Sequence, residues 1–294
     1  YGKFNQVIEH NATEIIVSKK NIKVTAIKNP EELPWKHLKV DIVIEATGIF
    51  RTHASAMAHI KAGAKKVIIS APAKACDCQA KDCQVKTVVL GVNESIIKKT
   101  DAIISMASCT TNCLAPITKV IKENLGIRKA MMTTIHSYTA GQNLIDGTNK
   151  DLRRARAAGL NIVPTTTGAA TATCETIPEL VGKFDGLAIR VPTAVASLCD
   201  IVYLVKKKTT KENINNILIK ASKKPSLKTV LGVSDEPLVS SDYIGNPLSG
   251  IVDLALTNVI DGDLIKIVAW YDNEWGYSSR LIEICQFIKI KKLI

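Results

Sequence analysis

The residues best suited to covalent chemistry form the segment ASCTTNC, residues 107–113. This small polar segment separates a predicted strand from a predicted helix and places Cys109 at the helix N-terminus. The helix dipole and the free N–H groups of the first turn favour a thiolate there, and the same N–H groups can hold an oxyanion. The segment therefore predicts a nucleophile, although cysteines at such junctions are often inert core residues.

A nucleophilic thiol needs a base, and His136 ends a predicted strand in the segment TTIHSYT, residues 133–139. Histidine is the side chain whose ordinary pKa suits proton transfer near neutral pH. A single histidine at a strand end is more often structural, but together with Cys109 it would form a pair that activates a thiol. The other four histidines lie in polar loops or on helix faces, where we expect solvated side chains: His10, His37, His53 and His59.

Eight cysteines are spread unevenly along the 294 residues, which begin without a signal-peptide pattern, so reduced thiols are expected. Cys76, Cys78 and Cys83 form the pattern C-x-C-x4-C in a polar stretch. This spacing lacks the C-x2-C pair or nearby histidine of a zinc site. We therefore expect an extended surface loop and no metal.

The composition is that of a packed globular protein, with 46% hydrophobic and 22% charged residues. No apolar run is long enough for a membrane span, and a cytoplasmic location is expected. Lysine and arginine outnumber aspartate and glutamate by 39 to 27, and the net charge of +12 favours anionic partners such as phosphorylated metabolites and dinucleotides. Aromatic residues make up only 4%, so nucleic acid is not expected as the main partner.

The length favours two domains, and the first part of the chain alternates between strand and helix patterns. Alternation of this kind predicts a parallel sheet covered by helices, with ligands at the carboxyl ends of the strands. The predicted strands cover residues 22–27, 40–46, 67–70, 87–90 and 102–105, and the predicted helices cover 53–62 and 109–124.

After Gly126 the predicted strands become longer and follow one another, which predicts a mostly antiparallel sheet. A capping-box pattern over residues 209–212 begins a helix that ends before Pro225. A C-terminal helix from about Tyr277 is too short to be stable alone, so we expect it to pack on the first domain. The predicted strands cover 130–135, 187–191 and 196–205, with a hairpin over 258–270 around Asp261 and Gly262.

Six segments together resemble the phosphorylating glyceraldehyde-3-phosphate dehydrogenases: ASCTTNCLAP (107–116), HSYT (136–139), DLRRARAA (151–158), PTTTGAA (164–170), RVPT (190–193) and WYDNEWGYS (270–278). Their order and spacing also match that family. The resemblance implies an α/β fold with a Rossmann-type, parallel-sheet dinucleotide-binding domain over 1–108 and 275–294. It implies an α+β catalytic domain with a mostly antiparallel sheet over 109–274. It further implies NAD as cofactor, glyceraldehyde 3-phosphate and inorganic phosphate as substrates, and a homotetramer.

By this resemblance, Cys109 attacks the aldehyde, His136 removes a proton as hydride leaves for the nicotinamide, and inorganic phosphate releases the thioester as 1,3-bisphosphoglycerate. A His136 imidazolium would also hold Cys109 as a thiolate in the resting enzyme. The resemblance assigns the substrate phosphate to Thr139 and Arg190, and the attacking phosphate to Ser108, Thr110, Thr167 and Gly168. It assigns the cofactor to Lys28, Thr47, Gly48, Ser70, Asn273 and Tyr277. Taken alone, the threonines are typical capping and turn residues.

The sequence departs from the family pattern at two informative places. No two glycines are spaced G-x-G, so the dinucleotide fingerprint is missing. Tyr1 resembles a position after the family's first βαβ unit, so we expect about 40 residues to be absent and dinucleotide affinity to be low. Gly147 and Thr148 stand where NAD-specific members carry a bulkier pair, which leaves NADP as a second candidate. Two alternatives to the phosphorylating dehydrogenase remain open. One is an erythrose-4-phosphate dehydrogenase on the same scaffold, and the other is an inactive chain with nonspecific anion binding.

Overall fold

The computed structural model describes residues 1–75 and 83–294. The predicted surface loop with Cys76 and Cys78 lies outside the described residues. Cys83 is disulfide-bonded, so the expectation of reduced thiols is wrong at this residue. Five other cysteines, at positions 109, 113, 174, 199 and 285, are free.

The N-terminal residues form a small antiparallel sheet of three strands, followed by a parallel sheet. The small sheet contains β1 (Ile8–His10), β2 (Glu14–Val17) and β3 (Lys20–Lys23). Among the described residues the parallel sheet has the spatial order β4-β5-β7-β6. Its strands are β4 (Ile42–Glu45), β5 (Lys66–Ile69), β6 (Lys86–Thr87) and β7 (Ile103–Ser105). The predicted parallel sheet is confirmed.

Two of the predicted strands are shorter in the structure. The strand predicted over 22–27 ends at Lys23. The strand predicted over 87–90 ends at Thr87, because the side chain of Asn93 bonds to the neighbouring backbone. Its amide donates to the Thr87 carbonyl at 2.9 Å, and its oxygen accepts from the Val89 N–H at 2.9 Å. A side chain thus takes the place of a strand partner.

Helices α1 (His53–Lys61) and α5 (Trp275–Ile290) pack on the parallel sheet. Ile284 and Ile288 of α5 are fully buried in one cluster with Ile68 and Ile104 of the strands. The expected packing of the C-terminal helix is therefore confirmed. The helix begins two residues earlier than expected because the Asp272 carboxylate accepts from the N–H groups of residues 274 and 275 at 2.9 and 2.8 Å.

The second sheet has the spatial order β12-β13-β14-β11-β8-β10-β9. Two of its neighbouring pairs, β8 with β10 and β12 with β13, are parallel, and the other pairs are antiparallel, which confirms a mostly antiparallel sheet. Its strands are β8 (Ile127–Ser137), β9 (Val163–Thr166), β10 (Phe184–Val191), β11 (Ser197–Val205), β12 (Leu231–Ser234), β13 (Gly250–Ile260) and β14 (Leu264–Tyr271). The predicted hairpin around Asp261 and Gly262 joins β13 and β14.

Helices α2 (Cys109–Leu125), α3 (Ala169–Thr176) and α4 (Lys211–Ser222) pack against the second sheet and share its hydrophobic core. The N-cap of α4 is Thr210, whose hydroxyl accepts from the Asn213 N–H at 3.3 Å. The helix thus starts one residue later than the capping-box pattern predicts. Nowhere in residues 1–75 and 83–294 is a helix both long and apolar enough to cross a membrane.

Candidate active site

The turn between β7 and α2 positions Cys109 as the first residue of the helix. Ser108 is the N-cap, and its hydroxyl accepts from the Thr111 N–H at 3.1 Å. Ala107 has a φ of 54°, which is uncommon for a residue other than glycine and turns the chain sharply out of the strand. The Asn112 amide donates to the carbonyls of residues 106 and 108 at 2.9 Å each and fixes this turn.

His136 reaches Cys109 from the end of β8. Its Nε2 lies 3.5 Å from the sulfur of Cys109, and the ring is buried. Arg190 stands beside His136 because β8 and β10 run parallel with these two residues in register. The structure therefore brings together the predicted nucleophile, the predicted base and one residue predicted to bind the substrate phosphate.

The other ring nitrogen of His136 faces two groups at once. Nδ1 lies 2.7 Å from the carbonyl oxygen of Ser137 and 2.6 Å from Nη1 of Arg190. The same Nη1 donates to the Ser137 carbonyl at 3.0 Å. These contacts fix the plane of the imidazole, so Nε2 is held toward the sulfur.

Burial disfavours the charged form of both members of the pair. It raises the pKa of the Cys109 thiol to about 11, against the lowering effects of the Thr110 backbone N–H and the Arg190 charge. Burial and the Arg190 charge lower the pKa of His136 to about 4. Burial thus opposes a thiolate held by an imidazolium, and the charge state of the resting pair stays a prediction.

A chain of buried hydroxyls supports the site from below. The Thr110 hydroxyl lies 2.9 Å from that of Tyr271, which lies 2.8 Å from that of Thr134. Thr134 donates to the Leu198 carbonyl at 3.1 Å. Since a carbonyl can only accept, the direction is set: Tyr271 donates to Thr134, and Thr110 donates to Tyr271. The Tyr271 ring also contacts His136 edge-on, with centroids 6.0 Å apart.

Sequence reasoning missed Tyr271, although it lies in the segment WYDNEWGYS beside Asn273. Its fully buried side chain carries a polar group, and a buried hydroxyl needs a partner. This requirement could have marked Tyr271 as a residue with polar neighbours, but no local sequence pattern identifies Thr110 and Thr134 as those neighbours.

The remaining residues predicted to bind phosphate make local contacts. Thr139 follows β8, and its N–H donates to the Gln142 side chain at 3.3 Å. Thr167 accepts from the Ala169 N–H at 3.2 Å, and Gly168 is the exposed N-cap of α3. These contacts are ordinary capping and turn interactions, and none of them links these three residues to Cys109.

Three residues predicted to bind the cofactor follow adjacent parallel strands. Thr47 and Gly48 follow β4, and Ser70 follows β5. The Thr47 N–H donates to the buried Glu45 carboxylate at 2.8 Å, and the Ser70 N–H donates to the Glu45 carbonyl at 3.0 Å. Gly48 has a φ of 74°, and no atom lies within 4 Å of the position of a Cβ there. These strand ends fit the polar edge of a dinucleotide site.

The Glu45 carboxylate also contacts His59 Nε2 at 2.8 Å, while the Trp35 indole donates to His59 Nδ1 at 3.1 Å. His59 is 4% exposed, so the expectation of a solvated side chain is wrong for this residue. Lys28 is exposed in the loop between β3 and β4, and among the described residues it makes no side-chain contact.

The last two residues predicted to bind the cofactor lie close to the catalytic pair. Asn273 accepts from the Ser197 hydroxyl at 3.1 Å, and that hydroxyl accepts from the Ser137 N–H at 3.1 Å. Tyr277 donates to the Ala107 carbonyl at 3.1 Å. A nicotinamide bound by Asn273 would therefore lie near the thiol, which is what hydride transfer from a cysteine adduct requires. Among the described residues, no group of three or more His, Cys, Asp or Glu side chains is placed to hold a metal ion.

A parallel sheet with polar strand ends lies beside a cysteine at a helix N-terminus and a histidine near a strand end, an arrangement that fits a nicotinamide-dependent oxidoreductase. Residues 108–273 match the family described as "Glyceraldehyde 3-phosphate dehydrogenase, C-terminal domain", and residues 1–53 match "Glyceraldehyde 3-phosphate dehydrogenase, NAD binding domain". The chain belongs to the glyceraldehyde-3-phosphate dehydrogenase family.

Curated relatives support the same assignment over nearly the whole chain. The chain is 49% identical over 288 residues to glyceraldehyde-3-phosphate dehydrogenase 2 of Synechocystis sp., covering 98% of this chain and 83% of that protein. It is 53% identical over 276 residues to the chloroplastic glyceraldehyde-3-phosphate dehydrogenase A of Scenedesmus vacuolatus, covering 94% and 85%. It is 48% identical over 294 residues to the enzyme of Geobacillus stearothermophilus, covering 100% and 85%. These matches confirm the predicted family, α/β fold and NAD cofactor, while the cytoplasmic location stays a prediction.

Proposed function

We propose that this chain oxidises glyceraldehyde 3-phosphate to 1,3-bisphosphoglycerate with NAD, through a thiohemiacetal and a thioester on Cys109. The observation that carries this proposal is the 3.5 Å contact between the Cys109 sulfur and His136 Nε2, with the Arg190 guanidinium on the far side of the ring. The imidazole of His136 thus lies between the Cys109 thiol, at the first turn of α2, and the Arg190 guanidinium.

In the first half of the reaction, the sulfur attacks the aldehyde carbon and the thiol proton passes to His136. The N–H of Cys109, in the first turn of α2, has no intrahelical acceptor and is available for the developing oxyanion. His136 then returns this proton to the oxygen of the thiohemiacetal, and the imidazole is neutral again. His136 removes this hydroxyl proton as hydride leaves the carbon. NAD, when bound, supplies the hydride acceptor.

In the second half, phosphate attacks the thioester carbon and the Cys109 sulfur leaves. Sulfur suits both halves because it is a strong nucleophile and an adequate leaving group. Arg190 and Thr139 hold the substrate phosphate. Polar groups around the first turns of α2 and α3 hold the attacking phosphate: Ser108, Thr110, Thr167 and Gly168.

Support for the substrate-phosphate assignment comes from the electrostatics of Arg190. Its guanidinium is partly buried, and burial lowers its pKa. Among the described residues, no carboxylate forms an ion pair with it. A buried cation without an anionic partner is expected to bind an anionic ligand, and a phosphate group fits a guanidinium fork.

The chain's own residues would hold the dinucleotide at two places. Thr47, Gly48 and Ser70 offer backbone and hydroxyl groups at the strand ends. Asn273 binds the nicotinamide carboxamide, and Tyr277 packs beside it. Lys28 lies near the adenine moiety in this proposal. Small residues at positions 147 and 148 leave NADP as an alternative substrate for the same site.

We also propose that the chain assembles into a homotetramer. The loop between β8 and β9 exposes several large apolar side chains, with Leu144, Leu152 and Leu160 each more than 80% exposed. Apolar residues clustered in one exposed loop favour burial against another copy of the chain. Light scattering of the purified protein tests this, and a monomer at micromolar concentration would contradict it.

The direct test of the proposed reaction is NAD reduction by the purified chain with glyceraldehyde 3-phosphate, with and without inorganic phosphate. Turnover that requires phosphate is expected. Turnover without phosphate would instead support a hydrolytic reaction of the erythrose-4-phosphate dehydrogenase type. Cys109→Ser is expected to abolish turnover, whereas Cys285→Ser, which changes a free cysteine of α5, serves as the matched control and stays active.

A further inference from the structure

Trp35, His59 and Glu45 form a hydrogen-bonded chain at the end of β4. An indole N–H can only donate, so His59 Nδ1 accepts from Trp35 at 3.1 Å. The imidazole therefore carries its proton on Nε2, which donates to the Glu45 carboxylate at 2.8 Å. His59 and Glu45 are buried, so water does not compete for this bond. The direction of both hydrogen bonds in the chain is thus determined.

The Glu45 carboxylate also holds the turn that follows β4. Its Oε1 accepts from the Thr47 N–H at 2.8 Å and contacts the Thr47 hydroxyl, while its Oε2 accepts from His59. An ionised carboxylate has no hydrogen to donate, so the Thr47 hydroxyl is the donor in this contact. The Thr47 hydroxyl oxygen in turn accepts from the Ile49 N–H at 3.1 Å. These bonds fix both the backbone of the turn and the direction of its hydroxyl.

The turn carries two of the residues proposed to hold the dinucleotide. Thr47 is exposed, and its hydroxyl oxygen keeps one lone pair that can accept a hydrogen bond from a ligand. Gly48 beside it has a φ of 74° and open space at the position of a Cβ. The next strand end is tied to the same glutamate, because the Ser70 N–H donates to the Glu45 carbonyl at 3.0 Å. Glu45 therefore contacts both strand ends of the proposed cofactor site.

We infer that Glu45 and His59 are positioning residues for the dinucleotide, which hold Thr47 and Gly48 in the conformation that binds it. This inference rests on the proposed function, in which Thr47 and Gly48 bind NAD. A turn that is ordered before binding loses less conformational freedom on binding, so the affinity for the ligand is higher. His59 acts through Glu45, because its Nε2–H fixes the carboxylate oxygen that Thr47 does not use.

A direct electrostatic effect of Glu45 on NAD would have the opposite sign. The carboxylate and the diphosphate of NAD are both negative, so they repel each other. Removal of the Glu45 charge would then tighten NAD binding, whereas the loss of positioning weakens it. The sign of the change in NAD affinity therefore distinguishes the two roles.

The first test measures the order of the turn in the full chain without ligand, by hydrogen exchange of the backbone amides in NMR spectra. Glu45→Gln keeps the shape of the side chain but has one acceptor oxygen, which cannot serve both Thr47 and His59. Exchange of the Thr47 amide is expected to become about tenfold faster. Glu31→Gln changes an exposed carboxylate paired with Lys61 and is the matched control, with no change expected at Thr47. Unchanged exchange of the Thr47 amide in Glu45→Gln would overturn the inference.

The second test measures the Kd for NAD of the same two variants by calorimetric titration. The inference predicts a Kd about tenfold higher in Glu45→Gln and unchanged in Glu31→Gln. In steady-state kinetics, the KM for NAD should rise in Glu45→Gln while the KM for glyceraldehyde 3-phosphate stays the same. A general loss of stability would not produce this difference between the two substrates. An unchanged or lower Kd for NAD would overturn the inference.

Two substitutions of His59 keep the inference testable if Glu45→Gln does not fold. The side-chain amide of His59→Gln can still donate to Glu45, whereas His59→Leu removes the donor. NAD affinity is expected to stay near the wild-type value in His59→Gln and to fall in His59→Leu. Equal NAD affinity in these two variants would show that the donor to Glu45 has no part in binding.

The outcomes separate this inference from the proposed function. Wild-type NAD affinity in Glu45→Gln, together with turnover that requires inorganic phosphate, would contradict the positioning role alone. A wild-type chain that binds no NAD would contradict the proposed function and the inference that rests on it.

Discussion

The hydroxyl groups of Tyr271 and Thr110 lie 2.9 Å apart in the core beneath the catalytic cysteine. Because the Tyr271 hydroxyl donates its hydrogen bond to Thr134, it accepts one from the Thr110 hydroxyl. The lone pairs of Thr110 therefore remain available on the side of Cys109, whose sulfur is 3.9 Å away. A fully buried residue thus orients a hydroxyl beside Cys109, where the attacking phosphate is predicted to bind.

Replacing Tyr271 by Phe is expected to lower both stability and turnover. The change removes the acceptor of the Thr110 hydroxyl and the donor to Thr134, whose own bond to Leu198 remains, and it lowers the free energy of unfolding by about 1–2 kcal/mol. It also frees the Thr110 hydroxyl to rotate, and we expect kcat to fall by about tenfold. Urea unfolding and steady-state kinetics measure the two effects.

The matched control for this variant is Tyr203→Phe. Tyr203 is equally buried and pairs with Thr118 at 2.9 Å, but farther along α2. A similar loss of stability with unchanged kcat is expected there. Equal loss of kcat in both variants would show that the effect on turnover is a general effect of destabilisation.

The pH dependence of Cys109 alkylation tests the charge state of the resting pair. Because the pKa of Cys109 is raised to about 11, the thiolate fraction, and with it the rate of reaction with iodoacetamide, should rise about tenfold per pH unit between about pH 7 and about pH 10. His136, with its pKa lowered to about 4, stays neutral throughout this range. A rate that is already at its plateau near neutral pH would contradict the neutral pair and support a thiolate held by an imidazolium. Mass spectrometry of the modified peptide assigns the reaction to Cys109.

Glu45→Ala is expected to destabilise the parallel sheet. The Glu45 carboxylate accepts from the Thr47 backbone N–H and faces the buried His59 at 2.8 Å, and its removal leaves the Nε2–H of His59 buried without this acceptor. We expect the free energy of unfolding to fall by about 2 kcal/mol in a urea titration. Glu31→Ala, which breaks the exposed ion pair with Lys61, is the control, with an expected change below about 1 kcal/mol. Equal effects would contradict the assigned role of Glu45.

Ile284→Ala tests the attachment of the C-terminal helix to the parallel sheet. Ile284 is fully buried, and its loss creates a cavity with an expected cost of about 2–5 kcal/mol. Ile282 lies two residues earlier in the same helix and is 56% exposed, so Ile282→Ala should cost much less. Thermal unfolding of the two variants gives the comparison, and similar losses would show that α5 does not depend on this contact.

Local sequence patterns predicted the backbone of the site well. The small polar turn before Cys109 and the strand ending at His136 follow from the spacing of apolar residues, and both lie where predicted. Cys109 and His136 are 27 residues apart, so their 3.5 Å contact depends on how the strands pair. The predictions that failed concern burial. The buried position of His59 arises from surroundings that distant parts of the chain provide.

Distant contacts also explain the missed tyrosine, whereas β6 ends early through side-chain bonds within the loop that follows it. Asn93 ends β6 through contacts six and four residues away in sequence, and Tyr271 contacts two threonines from other elements. No repeating pattern of residues in the sequence predicts either interaction. The resemblance to the dehydrogenase family supplied the residues whose roles need tertiary structure; the matches confirm the family, while the residue roles stay predictions.

The thioester on Cys109 is the central claim, and trapping it is the most direct test. The purified chain is mixed with glyceraldehyde 3-phosphate and NAD without inorganic phosphate, quenched in acid, and analysed by mass spectrometry. The account predicts a 3-phosphoglyceryl adduct on the peptide that contains Cys109, which disappears within one turnover when phosphate is added. An adduct on another residue, or NAD reduction with no adduct in the absence of phosphate, would contradict the account.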